Sequence, residues 1–118
     1  MADAGLFIGW GQVVRGREQR ALEVFNESMG YYAGLESDSQ IESWEVVLLE
    51  PHGGDLAGFV LLRGSVDQMN ALRADDDFQR RTQRADLIVD GLGVVGTLLG
   101  DGLAQGMSVY QEELGALG

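Results

Sequence analysis

The chain has 118 residues, a net charge of −11, and neither cysteine nor lysine; all eight of its basic residues are arginine. Disulfides, thiolate metal sites, cysteine nucleophiles, Schiff-base lysines and P-loop lysines are thereby excluded. So acidic a chain lacks the basic footprint needed to neutralise nucleic-acid phosphates or to settle on an anionic membrane. The length suits one domain, 1–118. The N-terminal sequence has no basic region followed by an apolar run, and no stretch is apolar enough to span a bilayer, so a cytoplasmic protein is expected.

Leu6 to Val14 predicts a first strand that is largely apolar on both faces, with Leu6, Ile8, Trp10 and Val14 on one side. Gly9 and Gly11 share the other side and leave room for a neighbouring aromatic or for a ligand. Arg17 to Gly34 predicts a helix, because Leu22, Phe25, Met29 and Tyr32 fall on one stripe. Ile41 to Leu49 and Phe59 to Leu62 predict two antiparallel strands. The turn between them holds Pro51, which cannot donate to a ladder, and Gly53 and Gly54, which accept positive φ. Ser65-Val66-Asp67-Gln68 has the spacing of a capping box and opens a second helix. Asp75, Asp76 and Asp77 interrupt that helix, and one of them caps a further segment that runs to about Asp90. Leu92 to Leu99 predicts a fourth strand. A last helix from about Leu103 carries Leu103, Met107, Tyr110, Leu114 and Leu117 as a narrow apolar seam.

The order βαββαβ, with a split second helix and an extra C-terminal helix, is an α+β ferredoxin-like pattern. Right-handed crossovers place the helices on one face of a four-stranded antiparallel sheet. The second face is also apolar, and a second copy of the chain is the simplest cover for it. A homodimer or higher homo-oligomer is therefore expected.

Several motifs carry little chemistry. Gly91-Leu92-Gly93-Val94-Val95-Gly96 matches a dinucleotide fingerprint, but that motif needs a strand before it and a helix opening at it, the reverse of the order here. Three consecutive aspartates do not have cation-loop spacing. With the three arginines that follow, they read as a mutually compensating solvated face. No metal site and no cofactor is expected. His52, the only histidine, lies in a turn; it is the candidate for proton transfer, and a polar loop role is its alternative. Trp10, Tyr32, Trp44 and Arg63 are the candidate lining of an aromatic ligand pocket with one cationic anchor, with Tyr31 nearby. Core or dimer contacts are the alternative role for these aromatics.

From Leu6 to Leu99 the element order and two-sided strands resemble the dimeric α/β-barrel superfamily. That superfamily includes antibiotic-biosynthesis-monooxygenase-like domains and muconolactone isomerase-like proteins. The resemblance implies two sheets facing each other across a dimer axis and a pocket between each sheet and its helices or loops. It also implies cofactor-independent monooxygenase or isomerase chemistry on a small apolar substrate. The competing reading is a non-enzymatic structural, assembly or ligand-sensing protein that acts through subunit contacts.

Overall fold

The computed structural model describes residues 2–118. Its elements are β1 (Ala4–Trp10), α1 (Glu18–Ser37), β2 (Ser43–Leu48), β3 (Gly58–Gly64), α2 (Val66–Ala74), α3 (Asp76–Asp86), β4 (Gly93–Leu98) and α4 (Gly100–Leu117). The strands form one open antiparallel sheet in the order β2-β3-β1-β4, the ferredoxin-like arrangement anticipated from the element order.

Register fixes which residues share a face. Leu6 pairs with Leu62 and Gly96, and Ile8 with Val60 and Val94; across β3 these continue to Trp44 and Val46. This even-numbered face meets the helices. Leu6, Leu62, Ile8 and Val60 are buried there with Tyr32, Leu35, Ile41, Met69, Leu72 and Phe78. A second, smaller cluster joins Ala21 and Val24 of α1 to Ile88, with Ala85 and Val89 alongside. α1 thus rests on the sheet near its C-terminal end and on the segment after α3 near its N-terminal end.

The odd-numbered face has no helix over it. It carries Phe7, Phe59, Leu61, Val47 and Val95, with the rings of Phe7 and Phe59 stacked at 4.9 Å. Arg63 and Glu45 form an ion pair on this same face. The space beside Gly9 is taken by the Phe7 ring, which a Cβ there would strike. The glycine gap expected in β1 is therefore filled by an aromatic.

β1 ends four residues before the expected Val14. Beyond Trp10 the chain leaves β3 and bonds to the segment after α3: Gly11 N donates to the Asp90 carbonyl (2.7 Å) and Val14 N to that of Ile88 (2.9 Å). The predicted caps are in place. Ser65 Oγ accepts from Gln68 N at 3.0 Å while Gln68 Oε1 accepts from Ser65 N at 2.8 Å. Asp75 Oδ2 accepts from Phe78 N at 3.0 Å. Asp76 then pairs with Arg80 (2.7 Å) and Asp77 with Arg81 (3.1 Å), one helical turn apart. Gly91 and Gly93 lead into β4, so the fingerprint-like glycines open a strand and cradle no phosphate at a helix. No helix among the described residues is long and apolar enough to cross a membrane.

Candidate functional site

The two clusters under α1 do not merge, and a cavity of about 350 Å³ lies between them. Its sheet wall is Ile8 and Trp10 of β1, Val60 of β3 and Leu48 of β2. α1 supplies the opposite wall through Ala21, Leu22, Val24, Phe25, Met29 and Tyr32, and Ala85, Ile88, Val89 and Leu92 close one end. The stripe read from the sequence as the packing face of the first helix is therefore the cavity wall. Leu22, at its outer end, is 55% exposed. The residues buried deepest along α1 are Ala21, Val24, Tyr32 and Leu35.

The lining is almost wholly apolar. Among polar side chains, Glu18 and Ser28 reach it from α1, and the Glu18 carboxylate accepts from Gly16 N at 2.9 Å. Trp10 meets Phe25 edge to face at 6.3 Å, which sets the orientation of the indole against the helix. Burial pushes the Tyr32 hydroxyl up to about 12, so it stays a neutral phenol even at pH values where an exposed tyrosine ionises. Tyr31 sits beside it with ring centres 5.7 Å apart and lies under the Arg81 guanidinium at 4.3 Å. The Tyr31 hydroxyl is also raised to about 12, first by desolvation and then by Asp75 and Asp77. Its oxygen is buried without a hydrogen-bond partner.

The expected pocket set divides. Trp10 and Tyr32 line the cavity. Trp44 packs behind Tyr32, 5.9 Å between ring centres, and is one layer removed from the cavity. Arg63 is opposite Gly5 on β1, an odd position, and so points to the open face with Glu45. Trp10 and Arg63 occupy neighbouring strands but opposite sides of the sheet, because side chains alternate with a period of two. His52 is exposed in the β2–β3 turn. Its Nε2 donates to the Leu56 carbonyl at 2.8 Å and its Nδ1 accepts from Gly54 N at 3.2 Å, so both ring nitrogens are engaged in the turn. It does not line the cavity. No group of His, Cys, Asp and Glu among the described residues is arranged to hold a metal ion.

Sequence reasoning missed the α3 side of the site. The helix expected to run to about Asp90 stops at Asp86; Val89 bridges to Val13, the Ile88 carbonyl accepts from Val14 N, and both side chains close the cavity. The polar Asp86 and the paired apolar Ile88-Val89 that follow are the available sign of that change from helix to extended chain.

No family model and no curated protein matches the sequence. Solved structures do. A dimeric protein of unknown function with a ferredoxin-like fold from Bacteroides fragilis superposes with a TM-score of 0.59 at 13% identity, over 81% of this chain and 96% of that one. A mutant of SnoaB, a cofactor-independent oxygenase from Streptomyces nogalater, gives 0.52 at 14% identity over 84% and 93%. A putative antibiotic biosynthesis monooxygenase from Chloroflexus aurantiacus gives 0.51 at 15% identity over 82% and 93%. The fold expected from the element order is thus shared with monooxygenase-like ferredoxin-type proteins.

Proposed function

We propose that the protein is a homodimer that binds a small, mostly apolar molecule in the cavity between α1 and the sheet. Cofactor-independent oxygenation or isomerisation of that molecule is the activity assigned to it. The carrying observation is the cavity itself: about 350 Å³, walled by Trp10, Phe25, Met29 and Tyr32, and within the size range of small-molecule sites. A neutral tyrosine hydroxyl in an apolar wall can donate to a carbonyl or phenolic oxygen of a ligand, and this is the role proposed for Tyr32. Likeness in fold to an oxygenase supports the reaction class by analogy.

The dimer reading rests on the uncovered odd face of the sheet, where Phe7, Phe59, Leu61 and Val95 form an apolar surface. Two such faces packed together are the two halves of an α/β barrel. A second reading, an assembly or sensing protein without catalysis, is favoured by one observation: α4 is 18 residues long and none of them is buried.

The test is capture and filling. Untargeted mass spectrometry of the purified protein identifies a bound compound, and tryptophan fluorescence follows its rebinding. Ser28→Phe, which fills the cavity from α1, should weaken binding by about tenfold or more, the loss of about 1.4 kcal/mol or more, with the circular dichroism spectrum unchanged. Undiminished binding in that variant places the ligand elsewhere and removes this site. Oxygen uptake or isomer formation with the captured compound separates the enzyme from the sensing reading.

A further inference from the structure

α4 leaves the sheet on a rigid root. Leu99 N donates to the Asp3 carbonyl at 3.1 Å, and Leu103 N to that of Leu99 at 3.2 Å. Gly102 lies so close to the Asp3 carbonyl that any side chain there would collide with it, and a Cβ at Gly106 would strike Leu98. These two glycines share one face of the helix. Leu103, Met107, Tyr110, Leu114 and Leu117 lie roughly a quarter turn away from them. All five are exposed, from 49% at Met107 to 87% at Leu117. The consequence is visible in the dimensions. The Cα radius of gyration is 16.2 Å, against about 13.5 Å for a compact chain of this length.

A second apolar surface is equally unpartnered. The mouth of the α1 cavity is rimmed by Val13, Leu22 and Leu48, which are 37%, 55% and 64% exposed. It opens at the Trp10 end of β1, whereas α4 is rooted at the Ala4 end, about 20 Å away along the strand. Arg15, Arg17 and Arg20 fall in the chain between the rim residues Val13 and Leu22, with Glu18, itself a lining residue, among them; Arg20 pairs with Glu23, while Arg15 and Arg17 have no ion-pair partner among the described residues. α4 carries Asp101, Glu112 and Glu113 and no cation.

From these two surfaces we infer that α4 of one copy lies across the cavity mouth of a second copy. Its Leu103–Leu114 stripe covers Val13, Leu22 and Leu48, and Glu113, the carboxylate at the edge of that stripe, faces Arg15 and Arg17. In a two-fold dimer the contact is made twice, arm to mouth and mouth to arm, so the assembly closes without propagating. Area argues the same way. Four short strands present a face of only roughly 20 by 20 Å, while a stable interface takes about 800 Å² from each partner. The arms supply the remainder. The binding site is then incomplete in one chain, and its ligand is enclosed only in the dimer.

The inference rests on the dimer and the cavity proposed above, and its test separates the three. The chain has no cysteine, so each introduced thiol is unique. Full-length Leu22→Cys and Leu114→Cys proteins are purified separately, mixed to exchange subunits, and treated with a short bis-maleimide. The expected product is a mixed Leu22–Leu114 dimer, with that product lost when either variant is treated alone. Leu48→Cys with Tyr110→Cys is the second pair, used if the first disturbs the circular dichroism spectrum. A dimer by sedimentation that yields no mixed product from a folded pair overturns the arm contact and leaves the sheet-face dimer and the cavity standing. A monomer by sedimentation overturns the dimer and the arm together, while Ser28→Phe still reports on the cavity.

Discussion

Tyr32 shows how a single residue is set by its surroundings. It is 9% exposed, touches Trp44 and Tyr31, and reaches the cavity that Trp10 lines from the other side. Burial raises its hydroxyl, as it does that of Tyr31, to about 12. The folded state therefore prefers both phenols neutral. The stability this confers is fully present below the ordinary tyrosine value of about 10 and is lost as pH rises towards 12. Tyrosinate absorbance should show two groups that resist ionisation through this window, with loss of the folded circular dichroism spectrum as they ionise. Complete tyrosine ionisation near pH 10 in a chain that stays folded would contradict the burial argument. The same scale explains His52: with its ring bonded to Leu56 and Gly54, it stiffens the turn and stands away from the cavity.

At the scale of the element, local chemistry and tertiary contact divide the work. α2 begins where it does because Ser65 and Gln68 satisfy each other's backbone N–H groups. Ser65→Ala should cost about 1 kcal/mol in denaturant unfolding; a loss near zero would mean that the packing of Met69 and Leu72 alone holds that end. α1 follows a different logic. Its apolar stripe was legible from spacing, but spacing states which residues share a face and says nothing of what fills the space opposite. That space is a cavity because α1 leans on the sheet at Tyr32 and Leu35 and on the chain after α3 at Ala21 and Val24. α4 is the extreme case, a helix with an apolar seam and no buried residue.

For the whole molecule the open sheet face is the decisive surface. Phe59 faces outward there, stacked on Phe7 and opposite Val47 and Gly9. Phe59→Asp should convert the proposed dimer to a folded monomer, read by sedimentation at micromolar concentration, because two carboxylates would be forced into the apolar centre of the proposed interface. A dimer that survives this change moves the interface away from the sheet. The acidity of the chain opposes any self-association, so the contact has to be won by apolar area, and dimerisation should strengthen as salt screens the repulsion.

Composition, period and capping residues were enough to set the element order, the ferredoxin-like topology and the start of α2, because these depend on neighbours within a few positions of the chain. The same information put Trp10 and Tyr32 forward as candidate pocket residues, and both lie on the cavity wall; the apolar seam of the last helix was legible too, as a pattern without a partner. Which side of the sheet each strand residue takes depends on where the strands begin and how they pair, and one residue of shift reverses every assignment. That is why Arg63 and Trp10 are separated by the sheet although both belong to adjacent strands; Trp44 shares the cavity's side of the sheet and is screened from it by Tyr32 instead. The cavity, the end of α3 at Asp86 and the exposed course of α4 were likewise settled only in three dimensions. Each is a gap or a contact between segments far apart in the chain, and no local pattern records the distance across it.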